Sequence, residues 1–337
     1  MNKNLRIRRG LTVGVGLLTA LSLTACGGNL GGGGSADAAE SFPDGPITLL
    51  VGQDAGGSTD LIARALADTV SEELGVPVTV ENRPGANGAV AAQELAGAEP
   101  DGQTLMTFVG SLAYITPLAV SEDEAVDIND YEVVTGISRD DYVLVTNPGT
   151  GFTTVEDLVN AGRPITFGTT GVGTGSQLSQ ELLFAQAGVD ATAVPFDGGS
   201  PTLTAVLGGQ VDVGSVQLGE AFEQIEAGEL VPLVTFAEER PSYLPDTPTA
   251  VEAGYDVPVQ QSRAIAAPEG TPQEVLDRLQ EAFQVAFATE EYQQFNQDRL
   301  LTPHEIDGEE LKAEWTENLE KYRAKVEEHD IALGEDQ

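Results

Sequence analysis

The sequence predicts an α/β protein of two domains, each a mainly parallel sheet covered by helices. Three observations predict it. Short apolar runs alternate with segments in which apolar residues recur at helical spacing. Glycine-rich loops ending on a hydroxyl residue join strand to helix at three places. The chain from Phe42 onward, roughly 300 residues, is long enough to bury two separate cores.

Ile47 to Val51 is an apolar run that opens on Gly52-Gln53-Asp54-Ala55-Gly56-Gly57-Ser58-Thr59-Asp60, after which Leu61, Ile62, Ala65, Leu66, Val70 and Leu74 recur at helical spacing. Val76 to Val80 reads as the next strand, Ala89 to Ala96 as a helix and Thr104 to Val109 as a third strand. This alternation argues for a parallel sheet covered by helices. A second series begins with Tyr142 to Thr146, followed by Thr153 and Glu156 as a capping box before a short helix, and by Ile165 to Gly168 as a strand. The loop Thr169 to Gly173 leads into Thr174-Gly175-Ser176-Gln177, where Thr174 is placed to cap a helix and Gln177 to reach back. Ala193 to Phe196 is a strand, and Gly198-Gly199-Ser200-Pro201 reads as loop, cap and first helical proline. Val211 to Val216 and Leu230 to Phe236 complete the second sheet before the chain returns through Arg263 to Pro268. Thr271-Pro272-Gln273-Glu274 starts a helix with cap, first helical proline and capping-box glutamate, and Gly308 to Leu333 is a long charged one with Leu311, Trp315, Leu319, Tyr322 and Val326 on one face.

Ahead of the folded part, Lys3, Arg6, Arg8 and Arg9 form a positive region and Leu11 to Leu23 an apolar one too short for an ordinary membrane span. Leu23-Thr24-Ala25-Cys26 ends this segment on the single cysteine of the chain. Residues 1–25 are therefore expected to be a lipoprotein signal peptide, with Cys26 as the lipid attachment site and the protein held extracytoplasmically on the membrane by that lipid. Residues 26–41 are glycine-rich and poor in apolar side chains, a flexible tether. One cysteine permits no internal disulfide, so packing alone must hold the fold.

Sixteen basic against 54 acidic residues give a net charge of −38, and removal of residues 1–25 would strip four more basic groups. Such a chain is a poor partner for nucleic acid or anionic lipid. Beyond the signal segment the lysines are Lys312, Lys321 and Lys325, and this acid-rich, lysine-poor make-up fits either a high-salt exterior or a well-solvated acidic surface.

Glycine lets backbone approach a ligand closely, and a helix N-terminus presents unpaired N–H groups with partial positive charge. Three glycine loops feeding helices therefore suit capture of a carboxylate or phosphate with few cationic side chains. Taken singly, each loop also reads as a tight turn.

Pro46-Ile47-Thr48, Ala55-Gly56-Gly57-Ser58-Thr59-Asp60-Leu61-Ile62-Ala63-Arg64, Val80-Glu81-Asn82-Arg83-Pro84-Gly85-Ala86 and Pro100-Asp101-Gly102-Gln103-Thr104-Leu105 resemble the substrate-binding proteins of tripartite tricarboxylate transporters, the Bug or TctC type. The resemblance continues through Val194-Pro195-Phe196, Leu207-Gly208-Gly209-Gln210-Val211-Asp212, Leu244-Pro245-Asp246-Thr247-Pro248-Thr249 and Ala267-Pro268-Glu269-Gly270-Thr271-Pro272, so it covers the chain beyond the tether. It implies a two-lobed periplasmic-binding-protein-like α/β fold with a ligand cleft between the lobes. Lobe 1 would comprise 42–141 plus 263–337 and lobe 2 would comprise 142–262. It also implies a small organic carboxylate as ligand and membrane permease subunits of the transporter as partners. Carried over by position, Gly56, Gly57, Ser58 and Thr59 would line the first lobe and Gly173, Thr174, Gly175 and Ser176 the second, with Ser111, Ser200 and Arg263 completing the ligand-binding set. Asp60 reads as a local cap and Asn82-Arg83-Pro84 as a structural turn.

Departures from the family pattern bear on specificity. Gln177 stands where a histidine is usual, Asp197 where a basic residue is usual and Ser262 where an aromatic is usual. Arg263 occupies a place where tricarboxylate-type members often carry arginine, and its planar fork could hold a second carboxylate of a di- or tricarboxylate. The sequence equally permits an exposed arginine in an acidic surface. Gln53 and Asp54 leave room for an amine or hydroxyl on the ligand.

Enzyme readings find little support. Gly171-x-Gly173-x-Gly175 lacks the third glycine of the dinucleotide fingerprint, no G-x-S-x-G elbow occurs, and His304 and His329 have no spaced metal partners. No cofactor and no metal is expected. The alternative kept open is a secreted lipoprotein hydrolase of similar architecture.

Overall fold

The computed structural model describes residues 42–334; the segments expected to be signal peptide and tether, with Cys26, lie outside the described residues. The fold is α/β, and its strands form one continuous curled sheet in the order β2-β1-β3-β9-β4-β7-β5-β6, with β8 also paired to β4. Strands β1 (Ile47–Val51), β2 (Val78–Asn82) and β3 (Thr104–Val109) are parallel to one another. So are β5 (Ile165–Thr169), β6 (Ala191–Pro195) and β7 (Val213–Gln217). The centre departs from the parallel expectation. There β4 (Tyr131–Thr146) and β9 (Gln260–Pro268) run antiparallel to each other and to their neighbours β3, β7 and β8 (Val231–Thr235).

The β4 strand is the longest at 16 residues, and the sequence pattern finds only its last third. Thr135, Gly136, Ser138, Arg139, Asp140 and Asp141 interrupt the apolar run that marks a strand, yet they pair in register with β9. Residues 131–141 pair with β9 and residues 142–146 with β7 and β8, so the strand changes partner between Asp141 and Tyr142.

Helices cover both faces. In β1, Ile47, Leu49 and Val51 pack under α1 (Ser58–Leu74) and α8 (Gln273–Phe287), while Leu50 joins Met106, Phe108 and Trp315 on the other side. A strand buried on both faces reads as a continuous apolar run. Trp315 is fully buried on α10 (Gly308–Glu328), stacks on Phe108 and donates its indole N–H to Ser262 at 3.0 Å.

Several helix starts differ from expectation by a residue. The capping box of α4 (Val155–Val159) is Thr154 with Asp157, because Asp157 rather than Glu156 stands at the third helical position. Helix α8 begins at Gln273 with Pro272 in the cap position, and Thr271 bonds back to the Pro268 carbonyl at 2.8 Å instead of capping. Ser200 is not the cap of α6 (Gly199–Leu207) but its second residue, after Gly198. The last helix stops at Glu328, and the chain then runs on so that the Leu333 carbonyl meets the Gln177 amide at 3.2 Å.

Candidate functional site

The first glycine turn delivers the chain into α1 with Gly57 in the cap position and no capping side chain, so the first-turn N–H groups have no side-chain acceptor. The turn is braced from behind. Gly56 N–H donates to Asp60 Oδ2 at 2.8 Å and Gly57 N–H to the Asp54 carbonyl at 3.2 Å. Asp60, 2% exposed, also accepts from Arg64 and from Asn82 at 3.0 Å. Burial pushes its carboxyl up, but the bonds from Arg64, Gly56 and Asn82 outweigh this and hold it below the usual range. Asp60, read from the sequence as a local cap, and Asn82, read as part of a structural turn of its own, thus together brace this turn.

In front of that turn lies Arg263, which is not an exposed surface arginine: it is 3% exposed. Nor is its fork open. Nε donates to Thr59 Oγ1 at 3.2 Å, Nη2 to Ser58 Oγ at 2.7 Å and Gln217 Oε1 at 3.0 Å, and Nη1 to Ser138 Oγ at 3.4 Å and to Asp140. Five contacts use the five N–H groups of a guanidinium. Asp140 is fully buried and also accepts from Ser138 Oγ at 2.8 Å and from Thr302 N–H at 2.9 Å. A bidentate grip on a second ligand carboxylate would have to displace these partners.

The second turn enters α5 (Gly175–Ala187) with Thr174 as cap, its hydroxyl accepting from Gln177 N–H at 3.3 Å and donating to the Gly171 carbonyl at 2.8 Å. Gln177 reaches back one residue beyond the cap, taking Gly173 N–H on Oε1 at 2.9 Å. Ser176 Oγ turns into the protein, donating to the Ser215 carbonyl at 2.5 Å and accepting from Thr170 N–H at 3.1 Å. The hydroxyls of this turn are therefore spent internally. At the helix start Gly175 faces the Tyr142 ring so closely that a Cβ would sit 2.6 Å from it.

The two turns meet through residues that sequence reasoning passed over. Asn87 Nδ2 reaches Ser111 Oγ at 3.0 Å, Thr116 Oγ1 at 3.2 Å and the Gly173 carbonyl at 3.4 Å. Gln217 joins the Arg263 group from the end of β7. Ser58, Thr59 and Arg263 thus form one bonded group, and Ser111, Thr116 and Gly173 a second around Asn87, with Thr174 next to Gly173 bonded instead to Gly171 and Gln177. Ser200 joins neither; it is exposed on α6. The start of α6 lacks a capping side chain, and Glu220 lies against it, since a Cβ on Gly199 would fall 1.8 Å from Glu220 Oε2. Burial pushes the Glu220 carboxyl up, with Arg263 opposing. Asn87 follows the Asn82-Arg83-Pro84 turn without any motif of its own, and there Ala86 and Asn87 take φ of 47° and 55° without being glycine.

A cavity of about 340 Å³ lies on the other face of β4, where Arg139 and Asp141 alternate with Ser138 and Asp140, and is also lined by Arg240, Gln260 and His304. It has no part in either group. Among the described residues no cluster of His, Cys, Asp and Glu is arranged to hold a metal ion, and no helix is long and apolar enough to cross a membrane.

Residues 62–331 match the family described as tripartite tricarboxylate transporter family receptor. A protein from Cupriavidus necator, named as the UPF0065 protein in the gbd 5' region, is 31% identical over 303 residues, covering 87% of this chain and 90% of that one. Among solved structures, Rpa4515 of R. palustris with adipate superposes with a TM-score of 0.80 at 26% identity, over 86% of this chain and 99% of the other. MatC from Rhodopseudomonas palustris with bound malate gives 0.78 at 26% identity, over 85% and 100%. The receptor assignment removes the hydrolase alternative: this is a binding protein, not an enzyme. With residues 62–331 matched by its model and its solved relatives superposing over nearly their whole length, the chain belongs to the tripartite tricarboxylate transporter receptor family, the TctC or Bug type, and has its two-lobed periplasmic-binding-protein fold.

Proposed function

We propose that this receptor captures a small organic carboxylate between two lobes, 42–141 with 263–337 and 142–262, and presents it to the permease subunits of a tripartite transporter while held on the membrane by a lipid on Cys26. The change of β4 partners between Asp141 and Tyr142 supports that division. The carboxylate would sit at the start of α1, with the first turn of α5 opposite. The observation that carries this is the α1 start itself: a 17-residue helix begins without a capping side chain, beside two hydroxyls. Such an end attracts an anion through its orphan N–H groups and helix dipole. Gly56, Gly57, Ser58, Thr59, Ser111, Gly173, Thr174, Gly175 and Ser176 make up or brace this site; Ser200 belongs to the separate α6 start. The similar proteins with adipate and with malate support dicarboxylates as the first ligands to try.

Mass spectrometry of ligand retained on the purified protein, followed by calorimetry with malate and adipate, tests the reading. Binding of one unchanged acid per chain is the expected result. A retained ligand without a carboxylate, together with no heat from either acid, would overturn it.

A further inference from the structure

We infer that Arg263 is a positioning residue: it fixes Ser58, Thr59 and Gln217 as hydrogen-bond donors for a carboxylate that it does not itself grip. This rests on the reading above that a carboxylate sits at the start of α1. A serine or threonine hydroxyl carries one donor proton and two acceptor lone pairs, and a glutamine amide turns either its oxygen or its NH₂ outward. A guanidinium only donates. With Nη2 on Ser58 Oγ at 2.7 Å and Nε on Thr59 Oγ1 at 3.2 Å, both hydroxyls use a lone pair on Arg263 and must send their protons elsewhere. With Nη2 also on Gln217 Oε1 at 3.0 Å, the amide orientation is set and Nε2 faces away from the arginine. None of these three donor groups has an acceptor among the described residues.

Three ambivalent groups therefore become donors that point away from one buried cation, and the cation's own charge is met by Asp140. Ser58 and Thr59 come from the helix start that is proposed to hold the anion; Gln217 comes from the far strand, so the same arginine ties both sides of the site into one donor set. Donors fixed before the ligand arrives lose no orientational freedom when it binds. On this account the second carboxylate of a dicarboxylate gains nothing from Arg263.

The test is a coupling cycle read by calorimetry with adipate, malate and hexanoate, the last matching adipate in carbon number but with one carboxylate. Ser58→Ala/Thr59→Val removes the donors, and Arg263→Gln/Asp140→Asn removes the orienting group without leaving a buried charge unpaired. Each double variant is expected to weaken binding about ten- to a hundredfold, by similar factors for adipate and hexanoate. All four changes together should cost little more than either pair, because Arg263 acts through the hydroxyls. Factors that multiply, or a loss confined to the dicarboxylates, would overturn the inference and restore the arginine fork. Should Arg263→Gln/Asp140→Asn fail to fold by circular dichroism, Arg263→Lys keeps a cation on Asp140 but lacks the fork, and the same coupling is expected of it. If none of the acids binds the unaltered protein, the carboxylate reading has failed first and this inference falls with it.

Discussion

Asn87 and Gly173 are 86 residues apart in the chain, yet the Asn87 side-chain amide lies 3.4 Å from the Gly173 carbonyl, which also accepts from Thr116 Oγ1 at 3.1 Å. The Gly173 peptide is held on both sides, its N–H by Gln177 and its carbonyl from the opposite turn. The second glycine turn is thus held against Asn87 and Thr116 by hydrogen bonds that need no ligand. Asn87 sustains this contact from a left-handed backbone, a conformation asparagine tolerates better than most residues.

Asn87→Ala should lower stability by about 1–3 kcal/mol, since it removes a half-buried amide from three acceptors and leaves alanine in the left-handed region. Asn87→Gly relieves the backbone while losing the same bonds, so in urea unfolding its own loss isolates the amide and the difference between the two variants isolates the backbone strain. Unchanged midpoints for both would show that the contact contributes nothing.

Two glycines of the site should respond differently to alanine. Gly56 has φ of 86° with open space around a Cβ, so Gly56→Ala carries only the left-handed strain, roughly 1–2 kcal/mol. Gly173 has φ of 71°, and its Cβ would also stand 3.0 Å from the Thr116 Cα, a backbone atom that cannot swing aside. Thermal unfolding should rank Gly173→Ala as the more damaging. Equal losses would mean that the Thr116 segment gives way freely.

Most of the wings was legible in the sequence because each element there repeats one local signal: Ile47–Val51 and Thr104–Val109 are apolar runs of strand length, and Ala89–Ala96 is a compact helix. The centre was not. Strand β4 carries Asp140 and Ser138 inward to meet Arg263, and a strand with a buried charge in it loses the alternation that reveals strands. The glycine turns were legible as strand-to-helix turns because backbone geometry follows from glycine content, whereas the use made of Arg263 was not. Its five partners come from three separate segments of chain, a property of tertiary assembly that no spacing records. Asn87 was hidden in the same way, and Thr174 was found because a cap is a local motif.

A pH effect is expected from Glu181 on α5. Burial beside Phe184, Val189 and Ile331 pushes its carboxyl up from 4.5 to about 7. The folded form therefore holds the proton more tightly than the unfolded chain, and the stability linked to it is present below about pH 4.5 and lost as pH rises through about 7. Partial solvation of this half-buried group keeps the effect on the order of 1–2 kcal/mol. Glu181→Gln should raise the thermal midpoint at pH 8 and leave it nearly unchanged at pH 4.5. An identical shift at both pH values would assign the effect to packing.

On the proposed lipid anchor, which rests on the Leu-Thr-Ala-Cys end of the apolar segment, Cys26→Ser should release the protein from membranes. Retention of the variant in the membrane fraction after a carbonate wash would sink the anchor.

The Thr174 hydroxyl already donates to the Gly171 carbonyl and accepts from Gln177 N–H, so it can reach a ligand only by giving up one of these bonds. Its contribution to binding should then be indirect: it holds the start of α5 so that the Gly175 and Ser176 N–H groups keep their direction. Thr174→Val, which keeps the shape and removes the hydroxyl, is expected to cost about 1 kcal/mol of stability as a lost cap. Affinity for adipate or malate should fall by roughly two- to tenfold, within the ~1.4 kcal/mol that separates positioning from direct contact with a carboxylate. Thr174→Ser retains the cap and should bind nearly as the unaltered protein. A hundredfold loss in Thr174→Val would mean that the hydroxyl itself meets the ligand, and unchanged affinity with the cap lost would take the α5 start out of the site, leaving the carboxylate to α1 alone.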